Sequence, residues 1–423
     1  MNIITYERIK GSIINKVEDS FPALMHRNFR YFWFGQCISL IGTWMQNAGQ
    51  AWLVLKITDN AFLLGALNAA QFLPTLIFSL FAGVIVDRFP KRKVTIITQA
   101  GLMMCAFALT ALIWTGHVKY GYILMIAVAL GIFQSIDMPA RQSFMVDLVG
   151  KEDLLNAVAL NSSIFNAARI FGPALAGVVM AWLGAGAAFF INGLSFIAVI
   201  YGLFMIKVDD KSHAELSKRN VISNVLEGIK YISKTPILYS TVLTVGFVWV
   251  FCLNFGTLIP AFAKGVLGQE EIGYGALMSS MGLGAMAGAL SLAAKSGRGP
   301  KYTLFLSGGA VLSVFMIVIG FQRVYILSAV FLMLAGWGMV TFTASANSIL
   351  QINSPDNMRG RIMSVYALVS GGVVPFGSLY SGFIAERFGA NIAFTVSGIL
   401  GACIILLSAC LFVRREKKGL TQH

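Results

Sequence analysis

Twelve predominantly apolar stretches of about 20 residues or more follow one another along this chain, too many for any fold that keeps its surface in water. They run over 30–56, 61–86, 94–115, 119–139, 155–183, 186–207, 236–262, 272–294, 302–321, 324–350, 360–385 and 390–413. About 20 such residues are needed to cross the hydrocarbon of a bilayer as a helix. The break between the fifth and sixth stretches rests on the turn Gly184-Ala185-Gly186. No segment alternates polar and apolar residues over about ten positions between turns, which argues against a transmembrane barrel. Composition agrees, since only 12% of the 423 residues are charged, about half the share of a soluble protein. The expected fold is an all-α membrane protein with twelve transmembrane helices.

The formal net charge of +14 would suit a nucleic-acid binder if the cations shared one water-facing patch. They are sorted differently. Of 32 Lys and Arg, 26 lie in the tails and after the even-numbered helices; Lys56, Lys119, Lys264, Arg323 and Arg387 lie on the other side, and Arg169 lies inside a span. Lys and Arg accumulate on the cytosolic side of membrane proteins. The split therefore predicts cytosolic termini and removes nucleic acid from the partners, leaving the lipid bilayer. Met1–Arg27 is too polar for a signal peptide. Ile9, Ile13, Val17 and Phe21 recur there at helical spacing, which fits either a helix on the membrane surface or a disordered tail. The cysteines (Cys37, Cys105, Cys252, Cys403 and Cys410) lie in spans without a CxxC pair, so neither disulfide nor metal site is expected.

The longest polar interruption, 208–235, splits the chain. It predicts a cytosolic tail (1–29), a six-helix bundle (30–207), a linker with a surface helix after Val221 (208–235), a second six-helix bundle (236–413) and a short tail (414–423). The bundles repeat. At an offset of 205, Gly172, Gly177, Gly184 and Gly193 fall on Gly377, Gly382, Gly389 and Gly398, and Phe171 and Phe189 on Phe376 and Phe394. At an offset of 210, Gly65-Ala66-Leu67 falls on Gly275-Ala276-Leu277. Two pseudo-symmetric six-helix bundles with a site between them form a transporter design.

Helix 2 ends in Gly83-Val-Ile-Val-Asp87-Arg88-Phe89-Pro90-Lys91-Arg92-Lys93, where Gly83 would permit close helix approach and Asp87 sits among cations. This stretch resembles the signature loop of the major facilitator superfamily, with Pro90 where the family usually has Gly. The segments Asn28-Phe-Arg-Tyr-Phe-Trp-Phe-Gly-Gln36, Gly42-Thr-Trp-Met-Gln46, Gln71-Phe-Leu-Pro74, Met138-Pro-Ala-Arg141-Gln142 and Arg359-Gly-Arg361 are similar to the bacterial branch of siderophore and macrolide exporters. The resemblance spans about 25–413. It implies that Asp87 docks on the start of helix 11 near Arg361, with Arg88, Arg92 and Arg141 in the same gating set. In helix 5, Arg169-Ile-Phe-Gly172-Pro173-Ala-Leu-Ala-Gly177 resembles the Gly-Pro motif of the family's antiporters, although Ala176 breaks its usual glycine pair. Pro173 removes a backbone donor, and the glycines permit close packing.

Candidate site residues come from polar groups that lipid would penalise. Arg169 lies about 21 Å along helix 5 at 1.5 Å per residue, where an Arg costs at least about 2.5–3.5 kcal/mol and faces a cavity or a partner. Ser162 and Asn166 share its face; an anionic-substrate contact, a gating network and a structural hub all remain open. Asp137 is the one acidic residue read within a span, near the end of helix 4 with Gln134 and Arg141 on its face. It is either a structural ion pair or the proton carrier. In helix 1, Gln36, Ser39, Thr43, Gln46 and Gln50 form a polar stripe four turns long that must face protein or water. Helix 7 offers Asn254 and Thr257; helix 10 offers Trp337 and Thr341.

The resulting expectation is a bacterial inner-membrane exporter, monomeric, moving an amphipathic small molecule by alternating access. The resemblance implies proton antiport. No cofactor is expected, and no phosphate-binding Gly loop points to ATP. A lipid or lysolipid translocator is the rival of the same fold; a non-transporting sensor or assembly protein is the rival of another class.

Overall fold

A computed structural model describes residues 21–208, 221–295 and 302–420, and every regular element among them is helical. The first six long helices are α1 (Arg27–Thr58), α2 (Ala61–Arg88), α3 (Lys91–Trp114), α4 (Tyr120–Val149), α5 (Leu154–Leu183) and α6 (Ala185–Met205). A linker helix (Val221–Lys234) leads into α7 (Pro236–Gly265), α8 (Glu271–Lys295), α9 (Tyr302–Phe321), α10 (Tyr325–Ile352), α11 (Asp356–Phe388) and α12 (Ala390–Leu420). Eleven of these, α2 to α12, are long and apolar enough to cross a membrane. At 32 residues α1 is also long enough, about 48 Å, but its polar stripe lowers its hydropathy. The proposed surface helix of Met1–Arg27 lies largely outside the described residues.

The largest boundary correction falls in α4, which continues through Pro139 to Val149 rather than ending at 139. Arg141-Gln142-Ser143 read as loop because they are polar, yet they continue the helix, with Gln142 exposed and Arg141 and Ser143 half-buried. The Nζ of Lys91 donates to the Ser143 carbonyl (3.4 Å) and pairs with Asp147 (2.9 Å). Asp137 and Arg141 therefore stand within the helix, not at its end. Two spans are interrupted. The helix of α7 breaks at Leu253-Asn254, and that of α11 breaks at Val373.

The packing repeats between the halves. Helix α1 lies on α5 and α6, α2 on α4, and α3 on α4 and α6; α7 lies on α11 and α12, α8 on α10, and α9 on α10 and α12. The sequence repeat marks equivalent positions. Gly184 and Gly389 each end a span at positive φ (+81° and +93°), the conformation glycine adopts without a Cβ clash. Gly172 presses on Trp44 and Gly377 on Asn254, while Gly193 and Gly398 hold α6 on α3 and α12 on α9.

Two seams join the halves. In α5/α8, a Cβ on Gly177 or Gly275 would strike the carbonyl of Glu271 or Pro173. In α2/α11, a Cβ on Gly65 or Gly382 would strike the carbonyl of Ser378 or Ala61. These glycines bring backbone against backbone, the close approach that small residues allow between membrane helices. Toward the face where α1 starts and α2 ends, here the basic face, the α5/α8 seam stops at Gly282 against the Arg169 carbonyl. The linker helix docks beside that face, with Val225 and Ile232 buried against Ile362 and Val365, and Glu227 paired with Arg361 at 2.5 Å.

Gly65→Val or Gly275→Val is expected to force the seams apart. Maleimide labelling of a cysteine introduced near the face opposite the basic one should rise at least about tenfold. Gly121→Val, where a Cβ meets open space, should leave labelling unchanged.

Candidate functional site

Between the halves lies a cavity of about 610 Å³, within the roughly 300–1,000 Å³ of small-molecule sites. Its walls differ. The first half supplies Ser39, Thr43, Gln46, Asn47, Gln50, Asn68, Gln71, Asp137, Arg141 and Arg169, together with Trp44 and Phe165; the second supplies Trp249, Leu253, Met278, Met281 and Met339, with Asn254 and Thr257 near the break in α7.

The stripe of α1 divides. Ser39, Thr43, Gln46 and Gln50 line the cavity, and Gln46 accepts a 2.6 Å hydrogen bond from Asn192. Gln36 does not line it; it is buried and takes a hydrogen bond from Arg141. Both polar atoms of the Gln50 amide are buried without a protein partner. Asn254 lines the cavity, its amide donating back to Val250 (2.6 Å). The other second-half candidates are turned elsewhere. Trp337 donates to Ser291 (3.1 Å) in the α8/α10 contact, and Thr341 is buried and off the cavity lining. Asn166 also lies off the lining and donates to the Ser162 carbonyl (2.9 Å).

Arg169 points into the cavity without the expected polar stripe around its guanidinium. Its partners are ring faces, Trp44 at 5.6 Å and Phe165 at 5.7 Å. Among the described residues none makes an ion pair or side-chain hydrogen bond with it. Two ring contacts contribute about 0.5–2 kcal/mol each, and they supply no counter-charge. Asp137 is the opposite case. Buried at 2% exposure, it pairs with Arg141 (2.7 Å) and accepts from Thr98 (2.7 Å) and Gln99 (2.8 Å). Every charge on the lining except Arg169 is thus matched.

The cavity is closed on one side. Lys56 pairs with Glu271 (2.8 Å), Lys264 with Asp59 (2.6 Å), and Glu386 accepts from the Ala61 amide (2.7 Å), capping α2 from the other half. Asn68 donates to Thr257 (3.0 Å), and Trp52 stacks on Tyr274. Every polar contact between the halves among the described residues lies from the level of Ile170 and Ser279 toward this face. Beyond that level the helices part toward the basic face.

The match to the model of transmembrane secretion effectors runs over residues 18–420. The chain belongs to this family of major facilitator transporters. It is 28% identical to the staphyloferrin A transporter of Staphylococcus aureus, over 92% of this chain and 97% of that one. It is 24% identical to the multidrug efflux pump Tap of Mycolicibacterium fortuitum (81% and 85%) and 21% identical to macrolide efflux protein A of Streptococcus pyogenes (92% and 96%). The fold is shared with an inward-facing bacterial homologue of the lysosomal transporter Spinster, at a TM-score of 0.74 and 11% identity over 92% and 98% of the chains. The chain is a transporter, not an enzyme.

The family's loop after α2 takes a particular form here. Gly83 makes no close approach: a Cβ there would meet nothing, because the helices are parted at the basic face. The side chain of Asp87 lies outside the described residues, and Arg88 is exposed. Arg361 pairs with Glu227 of the linker helix. Arg92 donates to the carbonyls of Leu203 (2.8 Å) and Phe204 (3.1 Å), placing a cation on the negative end of α6. The Gly172-Pro173-Gly177 run of α5 serves both seams of that helix, with Gly172 on α1 and Pro173 and Gly177 on α8. Composition gives no signal for the methionines or Trp249. Asn68, Gln71 and Thr75 do carry one, as polar residues at helical spacing on α2.

The Lys264 hydrogen bond and charge hold the Asp59 carboxyl below its ordinary range. A depressed carboxylate contributes to closure above its ordinary pKa and loses that contribution as pH falls through the depressed value. This contact is therefore expected to hold unchanged between about pH 5 and 8. Asp59→Asn is expected to raise opening of the closed face by no more than about fivefold, as an exposed pair. Lys56→Gln should raise it about tenfold or more, since Glu271 is only 9% exposed. Cysteine labelling at this face across pH measures both.

Proposed function

We propose that the protein exports an amphipathic small molecule across a bacterial inner membrane, with both termini in the cytosol and inward proton flow as the energy source. One observation carries the reading. A small-molecule-sized cavity lies between two six-helix bundles, sealed by inter-half contacts at one face and parted at the other. Alternating access needs that arrangement, with the seal broken in one state and made in the other. The sorting of basic residues supports assigning the parted face to the cytosol. The wall chemistry, amides and aromatic rings facing methionines, suits a solute with polar and apolar sides. The names of the efflux relatives support export over uptake.

Asp137 is the one carboxylate lining the cavity, and we assign it the proton. Its pairing with Arg141 gives the charged form a partner, so proton binding would release Arg141 and loosen the contact to Gln36. Transport into everted vesicles, with and without an imposed pH gradient, tests direction and coupling together. Uptake independent of the gradient would remove the antiport reading. Arg169→Ala is expected to reduce transport at least about tenfold while the protein still reaches the membrane; unaffected transport would remove Arg169 from the site. Asp137→Asn is expected to abolish the response to the pH gradient. A response equal to wild type would leave that carboxylate a structural group.

A further inference from the structure

We infer that the cavity selects an anionic amphiphile by two separated polar contacts, the anion at Arg169 and a neutral hydrogen-bonding group such as an amide or hydroxyl at Gln50. The inference rests on the transport reading above and adds the charge and shape of the cargo.

Charge on the lining decides the first contact. Asp137 and Arg141 cancel each other at 2.7 Å, and Arg169 has no counter-ion among the described residues. The wall therefore carries one surplus positive charge. It is set deep in a low-dielectric span, where an unmatched charge is most costly and a matching anion binds most favourably. Trp44 and Phe165 flank the guanidinium. They fix its plane without using its donors, so the fork stays available to a carboxylate, sulfonate or phosphate oxygen.

The second contact comes from Gln50. Gln50 lines the cavity and is 1% exposed, and neither the donor nor the acceptor of its amide is matched by protein. A buried amide is ordinarily satisfied, and this one offers a donor and an acceptor to whatever fills the closed end. Gln50 lies six residues beyond Trp44 on α1, about 9 Å along the axis. A molecule reaching both groups must be roughly that long. Its remaining surface would meet Met278, Met281 and Met339, flexible side chains that conform to varied apolar shapes.

Purified protein in nanodiscs can be titrated with three fluorescent probes of one scaffold: dansyl-phenylalanine (anionic), its carboxamide (neutral) and dansyl-cadaverine (cationic). The anionic probe is expected to bind at least tenfold tighter than the other two. Arg169→Met should erase that preference while changing affinity for the carboxamide by less than twofold, and Arg169→Lys should keep most of it. Gln50→Leu should weaken the anionic and neutral probes alike, several-fold, since both carry the sulfonamide. Met281→Trp, which fills the cavity, should abolish binding of all three. A cation that binds as tightly as the anion, or an Arg169→Met variant that weakens every probe equally, would overturn the anion assignment and leave the export reading standing. Unchanged affinities in Gln50→Leu would overturn the second contact. Binding that survives Met281→Trp would overturn both contacts. Loss of export would show separately, as everted vesicles that accumulate none of the probes.

Discussion

Backbone meets backbone where α5 crosses α8 and where α2 crosses α11, and most of the molecule is arranged around those two contacts. At each crossing a glycine from one half lies under a carbonyl of the other, so the helices approach as closely as their main chains allow. Apolar side chains gain little by leaving lipid for protein, and close packing of small residues is the main attraction left between helices. Because both crossings lie on the same side of Arg169, they set a pivot there. The ion pairs at Lys56 and Lys264 and the cap that Glu386 places on α2 then add polar contacts beyond the pivot. The cavity is the space left on the near side.

Electrostatics within that space are unevenly resolved. Asp137 is surrounded by Arg141, Thr98 and Gln99, which give it an ion pair and two hydrogen bonds. Arg169 has only aromatic faces. One half of the protein therefore holds both the matched and the unmatched charge of the lining, and the other holds none.

The fold was largely legible because its determinants are local. Span lengths, the sorting of Lys and Arg and the glycines repeated at an offset of 205 are all readable without knowing what packs on what. The end of α4 was missed for one reason. Arg141 and Gln142 look like loop residues, and only the contacts of Arg141 with Asp137 and Gln36 show that the helix runs on through them. The site was legible in part. A polar stripe in a membrane helix says that lipid is excluded, and it does not say whether water or another helix takes its place. Ser39, Thr43, Gln46 and Gln50 met the cavity, while Gln36 met Arg141 and Trp337 met Ser291. Arg169 was found by its cost, but its neighbours were misjudged. Asn166 bonds its own helix, and the guanidinium turns to Phe165 and to Trp44 on another helix. The methionine wall had no signal, since methionine in a span reads equally well as lipid-facing or core.

That wall has a further consequence. Met278 and Met281 belong to α8 and Met339 to α10, whereas the ionised side chains belong to α4 and α5. Net charge is thus set by one half alone, while both halves shape the contour. A substitution in α8 or α10 can widen or narrow the cavity without altering its charge. Width can therefore drift in the chain's descendants while the charge of the cavity stays fixed by the first repeat.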